Sequence, residues 1–140
     1  MMSEDRLTFT TRWRVRSYEL DVNGHVNNAV YLNWAEQLAT EHVEAAGFAQ
    51  EWMSTQDGAW VVRRHEITYR LPALYRDELQ LTTRAESIKG ARGLRHTTIA
   101  RVSDGAVIAE MQTEWVWIRL SDGRPTRVPD ELVRFFSPGG

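Results

Sequence analysis

The chain has no cysteine. That excludes disulfides, thiolate-held metals and a cysteine nucleophile, and it fits a reducing compartment. Long apolar runs are missing too. Nothing approaches the length of a membrane span, and the opening MMSEDRLTFTTRWRV is charged, with no apolar core of signal-peptide length. An excess of either charge is lacking: 17 Lys and Arg against 19 Asp and Glu leave a net charge of −2, which offers no bulk attraction for nucleic acid. Linkers, repeats and low-complexity segments are absent. The expectation is a cytoplasmic protein with neither membrane nor nucleic acid as partner. At 140 residues it should form one domain over 1–140, large enough to bury a core without staples.

Tryptophan, in contrast, is plentiful, with six residues. Large aromatics line apolar pockets and subunit interfaces, but core packing is their plainer use.

The apolar pattern divides the chain into an α+β order. Thr8 to Ser17, rich in Thr, Trp and Val, reads as a strand. Asp21 to Gly24 is a turn pivoting on Asn23-Gly24. Asn27 or Asn28 suits a helix N-cap. Val30, Trp34, Ala35, Leu38, Ala39, Val43 and Ala46 then recur at helical spacing, and Gly47 can end the helix after about five turns. Beyond Trp60 the period becomes two. Strands are expected over Trp60 to Leu71, Leu79 to Lys89, Leu94 to Val102 and Val107 to Trp117, with a short helix over Pro129 to Phe136. One helix cannot cover both faces of a five-stranded antiparallel sheet. The sheet can wrap it with one face, and the face or edge left over calls for a second copy.

The most unusual stretch is DVNGHVNNAVYLNW, Asp21 to Trp34. Polar groups crowd the mouth of a helix whose face is apolar. Metal binding fits poorly: an EF-hand loop needs Gly sixth and Glu twelfth, where Val26 and Leu32 stand. His42, His65 and His96 show no ligand spacing. A serine hydrolase would need an elbow such as G-x-S-x-G, and none occurs. Turn and cap chemistry explains each residue singly. It does not explain His25 between them, or two Asn where one cap suffices. An oxyanion site explains the group together. A helix start offers unpaired N–H groups to the negative charge developing on a thioester carbonyl. Asp21, just upstream, can attack that carbonyl or activate water. Asn23 and His25 can orient the water or the carboxylate.

YELDVNGHVNNAVYLNW resembles the signature of hot-dog-fold thioesterases. It is close to the D-x-N-x-H-V-N-N-x-x-Y segment of acyl-acyl carrier protein thioesterases, and similar to the D-x-x-G-x-V segment of the 4-hydroxybenzoyl-CoA thioesterase type. The passage Ile67 to Leu79, ITYRLPALYRDEL, and the close GRPTRVP, Gly123 to Pro129, resemble the same family. The resemblance implies a hot-dog fold, an antiparallel five-stranded sheet wrapped around one long central helix. It implies a homodimer with the active site at the subunit interface, often paired into a homotetramer. It implies that Asp21 is the catalytic carboxylate, that the backbone N–H near Asn28 holds the oxyanion, and that Asn23 and His25 support them. No cofactor is implied.

An acyl-CoA or acyl-carrier-protein substrate needs an apolar slot for its acyl half. Tyr31, Trp34, Leu38 and Trp60 are the wall residues expected. Its carrier half brings phosphates, for which Arg63, Arg64, Lys89, Arg92 and Arg95 are the basic residues near strand ends and turns. The expected activity is acyl thioester hydrolysis. Two alternatives stay open on the same fold: a non-catalytic acyl-thioester binder, and a dehydratase.

Overall fold

In the computed structural model, which describes residues 5–139, one five-stranded antiparallel sheet curls around one long helix. The elements run β1 (Thr8–Arg14), α1 (Asn28–Ala45), α2 (Gln50–Thr55), β2 (Gly58–Tyr69), β3 (Glu78–Lys89), β4 (Arg92–Arg101), β5 (Val107–Arg119) and α3 (Asp130–Phe136). The strand order across the sheet is β1-β3-β4-β5-β2. The chain therefore crosses the sheet between β1 and β2, carrying α1 with it, and returns between β2 and β3. Those crossings leave β1 and β2 as the two edges. This is the hot-dog architecture that the sequence led us to expect.

The helix forms where the period is 3.6. Asn27 is its N-cap, and its side-chain oxygen accepts the Ala29 N–H at 2.9 Å. Tyr31, Trp34, Ala35, Leu38, Ala39, His42 and Val43 turn inward, and Gly47 lies just past the end with a positive φ. The buried stripe thus includes Tyr31 and His42, while Val30 and Ala46 are only half-buried. The strands meet the helix through alternate residues, among them Leu79, Leu81, Ile99 and Met111. Each fully buried aliphatic side chain contributes about 1.5–3 kcal/mol.

Two features depart from the sequence expectation. β1 stops at Arg14 rather than Ser17, because Ser17–Glu19 forms a 3-10 turn whose Glu19 carboxylate reaches back to the Arg16 N–H at 2.8 Å. α2 was not expected; six residues carry too little periodicity to stand out. Strand limits elsewhere differ by one or two residues. No helix among the described residues is long and apolar enough to cross a membrane.

The core has two parts. One gathers around the first half of α1 with Val26, Tyr31, Trp34, Leu38 and the facing residues of β3 to β5. The other gathers around its second half with Val43, Phe48, Trp117, Leu132 and Phe136.

Candidate active site

The loop from Asp21 to Asn27 is held by its own backbone. Asp21 N–H donates to the His25 carbonyl at 2.7 Å, and Gly24 N–H donates to the Asp21 carbonyl at 3.1 Å. Gly24 takes a φ of +78°, a conformation that favours glycine. Val26 N–H donates to Ala73 and Asn27 N–H to Glu19, at 2.9 Å each, which pins the loop to the rest of the fold on both sides.

Within this frame one oxygen of the Asp21 carboxylate, Oδ1, accepts the N–H of Asn23 at 2.8 Å and of His25 at 3.3 Å. The other, Oδ2, bonds nothing among the described residues. The carboxylate is partly exposed. It is held in one orientation with an oxygen left over, which is what a general base or nucleophile requires. Asn23 and His25 hold Asp21 through their main chains. Their side chains are exposed and bond nothing among the described residues.

The start of α1 completes the arrangement. Asn27 occupies the Ala29 N–H with its side chain and the Val30 N–H with its carbonyl. The Asn28 N–H has no partner among the described residues, so it is the amide left to meet a ligand oxygen. Tyr69 on β2 donates its hydroxyl to the Asn28 carbonyl at 2.8 Å, tying the helix start to the edge strand. The Asp21 loop therefore runs directly into a helix start whose Asn28 amide is unpaired among the described residues and whose Asn28 carbonyl is held by Tyr69.

Glu19 escaped the sequence reading. It is buried, and its carboxylate binds the Arg16 guanidinium at 2.8 and 3.1 Å and the Trp34 indole N–H at 2.8 Å. Burial works to raise its pKa, but the Arg16 and Trp34 hydrogen bonds outweigh it and hold the carboxyl below its ordinary value. Its only sequence signal is the Arg-x-x-Glu spacing. His65, which shows no ligand spacing in the sequence, lies on β2. It bridges Thr113 on β5 at 2.9 Å and Glu36 on α1 at 3.3 Å, clamping the sheet to the helix.

The expected substrate residues separate. A cavity of about 340 Å³ opens along the second half of α1, and of the four expected wall residues only Trp60 lines it. Tyr31, Trp34 and Leu38 pack instead into the first core cluster. Tyr31 accepts the Ala73 N–H at 3.2 Å, and Trp34 spends its N–H on Glu19. Tyr31 and Leu38 are core, and Trp34, though buried with them, also borders an open groove shared with Trp13, Tyr18 and Gln37.

Arg95 was expected to be an exposed phosphate contact, and the structure corrects this. It pairs in register with Thr113 and faces the helix, 8% exposed, because alternation along β4 sends odd residues inward. Arg63, Arg64, Lys89 and Arg92 are exposed. Arg63, at 3.9 Å, and Arg92, at 3.4 Å, both flank Glu114, and Arg64 pairs with Glu66 at 2.8 Å. Lys89, at the β3–β4 hairpin, makes no ion pair among the described residues. No cluster of metal-ligating side chains occurs among the described residues.

Comparison with known proteins agrees with this architecture. The long-chain acyl-CoA thioesterase FadM of Escherichia coli K12 is 34% identical over 122 residues, 87% of this chain and 92% of that protein. The acyl-acyl carrier protein thioesterase ATL2 of Arabidopsis thaliana is 30% identical over 123 residues, 88% of this chain and 65% of that protein. The crystal structure of YbaW, a probable thioesterase from Escherichia coli, superposes with a TM-score of 0.77 at 31% identity, covering 90% of this chain and 94% of that one. The sequence model of the thioesterase-like superfamily matches residues 15–136, a span holding the Asp21 loop, all of α1 and β2 to β5, and the chain belongs to that superfamily.

Proposed function

We propose that this protein hydrolyses acyl-CoA thioesters, releasing the free acid and the thiol. The observation that carries the reading is the Asp21 carboxylate, fixed through Oδ1 by two backbone N–H groups and open at Oδ2, beside a helix start whose Asn28 amide is unused. The thioester carbonyl is placed with its oxygen on the Asn28 N–H. Asp21 takes a proton from water as the water oxygen bonds to the carbonyl carbon, or attacks that carbon itself, in which case water cleaves the resulting acyl anhydride after the thiolate leaves and restores the carboxylate. Negative charge gathers on the carbonyl oxygen and is stabilised by the amide and the helix dipole. The C–S bond then breaks. A thiolate leaves easily, so no strong general acid is required. The exposed His25 and Asn23 side chains are the polar groups of this loop available to order the water.

Coenzyme A rather than a carrier protein is supported by the likeness to FadM, which covers nearly all of both chains. The same likeness supports long acyl chains. For the phosphates, the exposed Lys89 is unpaired among the described residues, and Arg63, Arg64 and Arg92 would exchange their surface carboxylates for them.

The working unit is a homodimer paired through β2. This edge strand is 12 residues long, exposes Val61 and Tyr69, and carries a bulge at Arg63 near its middle. Two identical edges related by a two-fold axis pair antiparallel. That sets the Gly58–Trp60 end of one β2, which lines the cavity, beside the Tyr69 end of the other, which holds the Asn28 carbonyl. The acyl chain of a thioester cleaved at one Asp21 then enters the second copy's cavity. Along its own helix the cavity begins at Ala39, about 16 Å of rise beyond Asn28.

The test is thiol release from acyl-CoAs of graded length by wild type and Asp21→Asn. Turnover in wild type that collapses in the variant, with the dimer intact, is expected. Full activity in Asp21→Asn would remove Asp21 from the mechanism.

A further inference from the structure

The cavity along the second half of α1 is walled mostly by apolar groups, including Val43, Met53, Trp60, Trp115 and Phe136, yet Arg95 is part of its lining. Arg95 is over nine-tenths buried. Placing a guanidinium in such a wall is costly unless something balances its charge. Its surroundings among the described residues do not. Nη1 donates to His42 Nδ1 at 2.9 Å and to Thr83 Oγ1 at 3.3 Å, and the Phe136 ring lies 5.4 Å away. Nε and Nη2 bond nothing among the described residues, and no carboxylate pairs with Arg95 there. Glu44 lines the same cavity but stays exposed and makes no ion pair with it.

His42 cannot supply the missing charge. Its Nε2 faces the Arg6 carbonyl oxygen at 3.0 Å and must carry the proton to donate there. Nδ1 is then the lone pair that accepts from Arg95. The ring is neutral, held so by burial first and by the Arg95 charge second. Burial also draws the Arg95 guanidinium down to about 10, which leaves it protonated at neutral pH. The cluster is therefore a net cation beside an apolar cavity, with two donor nitrogens unspent.

We propose that this cavity receives the far end of the acyl chain and that Arg95 selects chains whose far end carries a carboxylate. This rests on the thioesterase reading. The substrate class is then the CoA thioester of an α,ω-dicarboxylic acid. Its methylene chain lies against Trp60, Met53 and Val43. Its terminal carboxylate takes the free N–H groups of Arg95, a charge-assisted pair that a plain fatty tail cannot make. A terminal methyl would instead leave the cation uncompensated. Specificity of this kind comes from a buried polar group that only one substrate can satisfy.

The test compares each straight-chain acyl-CoA with the ω-carboxyacyl-CoA of equal length, across short to long chains, on wild type, Arg95→Met and Arg95→Lys. For at least one length, wild type should show kcat/KM about tenfold or more higher for the ω-carboxy substrate. Arg95→Met should lower that ratio about ten- to a hundredfold, and Arg95→Lys, which keeps the charge, should restore part of it. Equal or lower kcat/KM for the ω-carboxy substrate at every length would overturn the proposal, as would a ratio that Arg95→Met leaves unchanged. If neither series is hydrolysed, the thioesterase reading has failed and binding decides the tail site alone. Titration of a fatty acid against the alcohol of equal length is then followed by tryptophan fluorescence, since Trp60 and Trp115 line the cavity. Tighter binding of the acid that disappears in Arg95→Met supports the site, and equal binding of acid and alcohol overturns it.

Discussion

The two ends of α1 are built on opposite plans. At the start, polar chemistry is held by backbone: Asp21 is oriented by two N–H groups of its own loop, and that loop is pinned by Glu19 and Ala73. The side chains beneath it, Tyr31, Trp34 and Leu38, are buried in the first core cluster, with an open groove lined by Trp13, Tyr18 and Gln37 running past Trp34. At the far end the polar group is a side chain, Arg95, and the packing opens into a cavity. A backbone-held carboxylate stays put whatever its neighbours become. A cavity lined by side chains changes shape with each substitution. On the proposed function, the difference gives rate to the first end and choice of substrate to the second.

The sharpest way to break that assignment is Asp21→Asn. The amide oxygen can still accept from Asn23 and His25, so the loop keeps its shape while the proposed base is lost. We expect kcat to fall by about 10²- to 10⁴-fold, with a melting temperature close to wild type. A large loss of stability would mean that Asp21 serves the turn rather than the reaction.

Gly58→Ala acts at the other end. Gly58 is buried against the face of the Trp117 indole, and an added Cβ would overlap that ring. Trp117 is itself wedged between Trp52 and Trp60, at 6.4 and 5.3 Å, and has no room to retreat. We expect a loss of about 1–3 kcal/mol or more in denaturant unfolding. Chain-length preference should shift with it, because Gly58 and Trp60 both line the cavity.

How well the sequence showed these two ends also differs. The first end was legible because its polar residues are contiguous from Asp21 to Asn28 and local rules of turns and caps govern them. Periodicity likewise gave the helix and all five strands to within a few residues. The second end was not legible. Arg95 reads as a hairpin cation until the register of β4 is known, since a shift of one residue reverses its face. The cavity depends on α2, a helix too short to announce itself, and on Phe136 folding back over the sheet. Tyr31, Trp34 and Leu38 looked like pocket residues because helical spacing marks a buried face and cannot say whether that face meets a wall or a void. Which strand becomes a free edge is likewise a property of the crossings, not of β2's own residues.

Acid should distinguish the ends next. Burial, then the Arg95 charge, pull the His42 pKa from its ordinary 6.5 to about 4 in the folded chain. A depressed histidine favours the fold while the ring is neutral. Its contribution is full above about pH 6.5, and as pH falls toward 4 the unfolded chain gains the proton first, so stability drops. The loss is of order 2–3 kcal/mol. It should appear as a fall in urea midpoint between pH 6.5 and 5, above the range where ordinary carboxylates titrate. His42→Gln should flatten that slope. A wild-type midpoint constant across this window would mean that His42 is not held neutral against Arg95.

The smallest expected effect is also the cleanest check on where the substrate lies. Tyr31 sits 2% exposed under the helix start, with its hydroxyl accepting the Ala73 N–H and its ring edge-on to Trp34 and Tyr69. Tyr31→Phe keeps the ring and strands the Ala73 amide, a loss of about 1–2 kcal/mol. As a core residue it should leave chain-length preference as it is, whereas any enlargement at the cavity wall, such as Met53→Trp, should move that preference toward shorter chains. Length profiles of the two variants on the same acyl-CoA series settle it. A profile shifted by Tyr31→Phe and untouched by Met53→Trp would put the acyl chain at the packed end of the helix and reverse the division of labour drawn between the two.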